Sequence, residues 1–571
     1  MGRARKSRAS TKISFAPSFV LSSAHSLALY LCGTLIVANI VLGGGTRSGF
    51  VGDVILQLLS IPVLLWCSRE MWRAPSWNNG IRWSGLICAL LILIPLLQLI
   101  PLPTGFWASL PGREAISRTY ALLGRDLPAQ PLSMSPSATW QSALSMLPPL
   151  AIFACSLLLS YRERRSVSVL LIVMGVVSVF LGLLQLAQGP ESPLRFFAFT
   201  NREDAVGFFA SRNCYAALLY AIMIFAVCWV IHEAMVVGSL SVKTRFTTSA
   251  ILWLFVSFTA LVAFVGAQAM ARSRAGIILS ATALIGAFLI AATDRRSRDR
   301  GQGASRLLLG IMSFAIVFSL QFALFRILAR FSVDPLTDAR VLFTAKTFEA
   351  AKFYMPFGTG LGTFVPIYAM HEKAPDLLYV YANHAHNDFA EVWLETGIAG
   401  PILAGLALLV FLRAAMPVWG RSGLGDASEI DVALMKAATL VLVLFAAHSL
   451  VDYPLRTAAI MAVSAFSCGL LVAPLSRDKS VHKGAARTVE LDHALERMAH
   501  SARTSRLPDN PLSALIEPTI ALTKPAERWE GTEAWPEAWR PKANDKSDDR
   551  DATPATTQGK PPATDPPEKP Q

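Results

Sequence analysis

The chain has 571 residues, of which 53% are apolar and only 16% charged, and its net charge is +13. A soluble chain of this size would carry about 25% charged residues, so a soluble globular class is excluded. The positive charge sits largely in short connectors between apolar blocks, which points to membrane topology and not to nucleic acid. The seven cysteines, Cys32, Cys67, Cys88, Cys155, Cys214, Cys228 and Cys468, lie in or at the edge of apolar blocks without C-x-x-C spacing. They read as small packing residues, not as a disulfide framework.

In chain order, residues 1–26 form a basic segment with Arg3, Arg5, Lys6, Arg8 and Lys12. The apolar run from Leu27 ends in Gly43-Gly44-Gly45 and lacks a small-x-small cleavage site, so it predicts an uncleaved first span. About 20 apolar residues cross a bilayer as a helix, at ~1.5 Å per residue. Blocks of this kind predict twelve spans near 27–44, 51–68, 83–102, 143–161, 167–188, 214–233, 249–270, 275–293, 307–326, 398–417, 435–453 and 457–475. With the N-terminus in the cytoplasm, Arg69, Arg73, Arg82, Arg162, Arg164, Arg165, Lys243, Arg245, Arg295, Arg296, Arg298, Arg300, Arg413 and Arg421 all fall in inner loops, as basic residues of short loops should. Two outer loops are long, about 103–142 and 327–397. The first carries Trp107 and Trp140, which suit an interface. The second is aromatic and poor in Ser and Gln, so it should be ordered. Residues 476–571 form a cytoplasmic, largely disordered tail with one amphipathic stretch, Val489–Ser501, and a Pro-rich end.

The outer side is rich in arginine where the topology rule expects little positive charge: Arg195, Arg202, Arg212, Arg272, Arg274, Arg330, Arg340 and Arg456. Arginine offers a fork of donors suited to phosphate; the plain alternative is snorkelling to headgroups. Arg272 and Arg274 sit in a connector too short to project into water, which favours a ligand there.

The chemically densest stretch is Ala382–Gly400, with His384, His386, Asn387, Asp388, Glu391 and Glu395 directly before a span. Histidine suits proton transfer near neutral pH. Asp388, Glu391 and Glu395 share a helical face, expected to line a wet cavity. His384-x-His386-x-Asp388 has metal-ligand spacing, but it precedes a membrane helix and lacks further ligands, so no metal is expected. The glycine run Gly358, Gly360, Gly362 has no strand–helix–strand context for a nucleotide; it reads as a turn that brings Arg340 back to the membrane. Three smaller clusters, Gly207–Asn213, Ala271–Gly276 and His448–Arg456, fall on the same outer side.

These pieces together resemble the O-antigen ligase and polymerase family over roughly residues 200–475. The matching stretches are Gly207–Asn213, Ser273-Arg274-Ala275-Gly276, Arg340 followed by the glycine run after Pro356, His386-Asn387-Asp388 with Glu395-x-Gly397, and His448–Arg456. The resemblance implies an all-α polytopic membrane protein of about 12 transmembrane helices, with a large ordered periplasmic loop, similar to the GT-C-like O-antigen ligase fold. It implies a bacterial inner-membrane glycosyltransferase with both termini cytoplasmic and its active site on the periplasmic face. Such enzymes move a glycan from undecaprenyl diphosphate to an acceptor hydroxyl, on the lipid A core for a ligase or on another lipid-linked glycan for a polymerase, with no metal or cofactor. Ligase is the favoured reading, polymerase the alternative, and a transporter of lipid-linked glycans the less favoured one. In that reading His386 is the base. Arg274 and Arg340 hold the diphosphate, with Arg272 or Arg212 in support, and Asn387 and Asp388 orient the base. His384 is either a sugar contact or a bystander. His448 and Asp452 either line the cavity or form a structural pair at a helix end.

Overall fold

The computed structural model describes residues 26–47, 49–73, 77–239, 249–292, 339–373, 382–420 and 427–474. The chain divides into two units, Met1–Ser480 and Val481–Gln571, and every described residue belongs to the first. The expected span at 307–326, Arg330 and the amphipathic stretch Val489–Ser501 lie outside the described residues.

The described chain is helical apart from one antiparallel pairing of Pro101–Leu102 with Gln130–Pro131. Eight of its helices are long and apolar enough to cross a membrane: Val51–Trp72, Asn79–Gln98, Pro136–Leu158, Tyr161–Gln188, Arg212–Val236, Ile251–Ala271, Ala399–Gly420 and Glu429–His448. Leu27–Leu42, Arg274–Ile290 and Ala458–Leu471 are shorter apolar helices. The protein is thus an all-α polytopic membrane protein. The Arg212–Val236 helix is apolar all round, and its most apolar window is 100% buried, whereas only 11% of the Asn79–Gln98 window is. The first is the central post of the bundle, packed by Ser249–Ala271, Arg274–Ala292 and Glu429–His448; a helix apolar on every side belongs in such a place.

Hydrogen bonds between helix ends define two ends of the bundle. At one, Arg165 grips Asp431 at 2.7 Å, and the backbone N–H of Ser26 donates to Glu163. There the buried Arg164 donates to the carbonyls of Ser156 and Val472, satisfying acceptors that two helix C-termini leave open. At the opposite end lie Gly43–Thr46, Gln98, Gly207–Asn213, Arg272–Gly276, Asn383–Glu395 and His448–Arg456, joined to one another by the contacts described below.

The segment around 103–142 is not a plain loop. It folds into the short helices Thr104–Ala108 and Glu114–Leu122, and Pro136 opens the next span seven residues earlier than expected. Trp107 is buried and donates to the Pro131 carbonyl at 2.8 Å, so it is a packing residue and not an interface residue; Trp140 is exposed.

The described part of the second long loop is folded. Ala339–Lys352, Phe364–His371 and Asp388–Thr396 share a core of Phe343, Tyr354, Phe364, Tyr368 and Leu394. The glycine run serves this packing. The N–H groups of Thr359 and Gly360 donate to the Leu394 and Glu395 carbonyls, and that of Leu361 donates to the Gln98 side chain. Gly358 has φ 76°, and a Cβ there would lie 2.5 Å from the Gly397 nitrogen. The run pins the C-terminal end of Asp388–Thr396. With the amides of Gly358, Thr359, Gly360 and Leu361 committed to protein acceptors, it is not arranged as a phosphate cradle.

Candidate active site

His386 sits at the turn into the helix Asp388–Thr396. Its φ is 53°, a left-handed conformation unusual for a residue with a side chain, and such strain concentrates at functional positions. The ring is held on three sides. Phe343 stacks on it with centroids 6.0 Å apart, Tyr453 meets it edge-on at 4.9 Å, and Nδ1 lies 3.1 Å from Asp452 Oδ1. A carboxylate accepts only, so Nδ1 carries a proton, and in the neutral form of the ring the lone pair is therefore on Nε2. The side chain is 17% exposed. This is the geometry of a general base oriented by a carboxylate.

Asp452 is the hub. Its Oδ2 accepts from Asn213 Nδ2 and lies 3.5 Å from Arg340, while Oδ1 also accepts from the Tyr453 amide. Burial alone would raise its carboxyl, but Arg340 and His386 hold it well below the usual carboxylate range. Asn213 in turn accepts from Ser273 Oγ at 2.8 Å, and Ser273 Oγ accepts from the Gly276 amide at 3.0 Å. One chain of hydrogen bonds therefore joins the three smaller motifs to His386.

The arginines flank this chain. Arg212 and Arg272 both reach Asp204, at 2.7 and 3.5 Å, and each keeps part of its side chain exposed. Arg212 and Arg274 are the first residues of helices, and Arg340 is the second of Ala339–Lys352. Helix N-termini carry partial positive charge and favour anions. Arg212 and Asn213 are adjacent in sequence, as are Arg272, Ser273 and Arg274, so these cations neighbour the residues of the chain that leads to His386.

The other expected residues lie elsewhere. Asn387 caps the helix, accepting from the Ala390 amide and donating to the Leu450 carbonyl. Asp388 accepts from Ser449 Oγ at 2.7 Å and from Arg456 at 3.1 Å. Neither residue orients the imidazole, because the first turn of the helix directs both toward Ser449–Arg456; they fix the backbone that carries His386. Glu391 and Glu395, 1% and 0% exposed, do not line a wet cavity, for they converge on Arg456 at 3.3 Å.

His384 belongs to that second cluster. Its Nδ1 faces Glu391 at 2.9 Å and its Nε2 faces the Thr46 carbonyl at 3.0 Å. Both partners are acceptors, so both nitrogens donate and the ring is an imidazolium. Burial works against that charge, and Glu391 outweighs it, raising the pKa above 6.5. Burial likewise opposes ionisation of Glu391, but Arg456 and His384 hold it below the usual carboxylate range; burial pushes Glu395 up. His384 has no nitrogen left for a sugar. His448 bonds Tyr220 through Nδ1 at 3.1 Å and makes no side-chain pair with Asp452. The three side chains of the His-x-His-x-Asp run thus go to different partners, and among the described residues no three His, Cys, Asp or Glu side chains are placed to hold a metal ion.

Sequence reasoning did not single out Asn213, Ser273, Asp204 or Tyr453 as individual residues. Asn213, Ser273 and Tyr453 stood inside the recognised motifs; Asp204 gave no signal of its own.

No curated protein matches the chain. A family model described as O-antigen ligase matches residues 258–405, a narrower stretch than the sequence resemblance. It includes Arg272, Arg274, Arg340 and His386, and it stops short of Asn213 and Asp452. Over that segment, which holds His386 and three of the four arginines, the chain is similar to the O-antigen ligase family.

Proposed function

We propose that the protein is an integral membrane glycosyltransferase that moves a glycan from undecaprenyl diphosphate to an acceptor hydroxyl, as an O-antigen ligase acting on the lipid A core. The observation that carries this reading is His386, with Nδ1 on Asp452 and Nε2 open, set among arginines at helix N-termini. The acceptor oxygen attacks the anomeric carbon as its proton passes to His386 Nε2. The bond from that carbon to the diphosphate breaks with inversion, and the lipid diphosphate leaves with the electron pair. Arg274 and Arg340, supported by Arg272 and Arg212, take up its charge. Positioned cations in a partly dry site stabilise such a leaving group by several kcal/mol. No cofactor enters this scheme.

The bundle has twelve crossings in this account. Arg274–Ala292 starts at the site end, Ile290 lies with Glu429 and Lys436 toward the other end, and Arg340 is back at the site. An odd number of crossings between them restores the alternation, and the expected span at 307–326 supplies one. With the basic connectors in the cytoplasm, the site faces the periplasm of a bacterial inner membrane. A transporter reading is not favoured, since the site's ionisable groups gather at one end of the bundle and not at its middle.

The test is deletion of the gene, followed by gel analysis of envelope glycans and secreted polysaccharide. Long chains retained on the lipid carrier, with bare core, are expected. Cores capped by one repeat, or single repeats accumulating on carrier, would assign a polymerase instead. No change in either pool would overturn the transferase reading.

A further inference from the structure

The carboxylate that orients His386 is itself held by a side chain 239 positions away, and the polarity of that contact is fixed. Gly276 N–H donates to Ser273 Oγ, which leaves the Ser273 hydroxyl proton to point at Asn213 Oδ1. Asn213 must then turn its NH2 toward Asp452, since the reverse orientation would set an amide oxygen against a carboxylate. Ser273 is 1% exposed and Asn213 7%, so water does not readily replace either contact.

We propose that Asn213, locked by Ser273, is a positioning residue for the base: it holds Asp452 so that one carboxylate oxygen takes the Nδ1 proton of His386 and the reacting Nε2 faces the acceptor. The proposal rests on the transferase reading and deepens it. It also explains why the cation-bearing segments alternate Arg212-Asn213 and Arg272-Ser273-Arg274. One residue of each stretch serves the base while its neighbours serve the leaving group, so the two halves of the reaction share a backbone. Other groups around the dyad are Tyr453 and Arg340, His384 on the histidine's own segment, and His448 and Cys214 from the flanking helices. Of these, Arg340 also faces Asp452 Oδ2, at 3.5 Å, so Asn213 and Arg340 hold that oxygen together.

The test uses the full-length protein, with Asn213→Asp, Asn213→Ala, Asp452→Asn and the Asn213→Ala/Asp452→Asn double variant. Two carboxyl groups in contact cannot both ionise. Asn213→Asp should therefore work best at low pH, where a protonated Asp imitates the amide donor, and should gain a new basic limb in its kcat profile. Asn213→Ala should lower kcat ~10–100-fold, within the full worth of a general base, with donor KM nearly unchanged. The double variant should be no slower than Asp452→Asn alone, because residues acting as one unit are not additive.

A second readout needs no donor. The rate at which diethyl pyrocarbonate modifies His386, followed by peptide mass spectrometry, should acquire the same new break with pH in Asn213→Asp. If that variant fails to fold, Ser273→Ala takes its place, with an expected ~3–10-fold loss of kcat that is also absorbed by Asp452→Asn. Additive losses, or parallel pH profiles in both readouts, would overturn the proposal. A wild-type protein that transfers no glycan while its His386 modification still follows Asn213 would overturn the transferase reading and leave the positioning role standing.

Discussion

Two ionic clusters share the stretch from His384 to Glu395, and they solve opposite problems. Around Arg456, the cluster of His384, Asp388, Glu391 and Glu395 is closed: both nitrogens of His384 donate, and three carboxyl groups converge on one guanidinium. His384 and Arg456 supply the positive charge and hold Glu391 ionised, while burial pushes Asp388 and Glu395 toward their neutral forms. Around Asp452, the cluster is left open at one atom, Nε2 of His386. A buried charge needs every partner it can find, whereas a base needs one site unfilled. Two histidines two residues apart thus differ by their second nitrogen: His384 is bound on both sides, His386 on one.

The sharpest way to break that comparison is to remove the orienting carboxylate. Asp452→Asn should lower the transfer rate by ~10²–10⁴, the scale of a general base left without its correct tautomer, with little change in the amount of folded protein. A similar fall in folded protein would make Asp452 structural. The leaving-group side should respond almost as strongly. Arg340→Lys keeps the charge and loses the fork, so a severe loss of transfer is expected, and near-normal kinetics would reduce Arg340 to a partner of Asp452.

The closed cluster should answer in stability instead. Arg456→Met strands buried carboxylates, and a loss of about 3–5 kcal/mol is expected, read as a lower thermal midpoint or loss of folded protein. A small effect would mean that the cluster is wet. A subtler probe is pH. The folded-state pKa of His384 lies above that of a free imidazole, so its pairing with Glu391 adds stability that is fully present below about pH 6.5. That contribution is lost as pH rises through the raised value. His384→Gln should therefore flatten the fall in thermal midpoint above neutral pH; an unchanged slope would show that another group is responsible.

Much of the fold was legible because a bilayer demands long apolar runs, and those runs are local in sequence. The site was legible as an inventory, since arginine and histidine stand out in outer connectors. The pairing was not. Asp388 follows His386 closely and looked like its partner, yet the helix turn sends it to Ser449 and Arg456. The true partner, Asp452, is 66 positions on, at the end of another span. Glu391 and Glu395 have the spacing of a polar face, and periodicity does not tell a wet face from one buried on a single arginine. The glycine run likewise showed its turns but not what its amides bind.

The central claim is that His386 takes the acceptor's proton. Its most direct test is transfer by purified protein, from a lipid diphosphate-linked glycan to an acceptor, comparing wild type with His386→Ala and with His386→Asn, since asparagine tolerates the left-handed backbone at this position. Loss of transfer by about 10²-fold or more in both, with thermal midpoints close to wild type, is the expected result. Transfer within a few-fold of wild type in a folded variant would contradict the account.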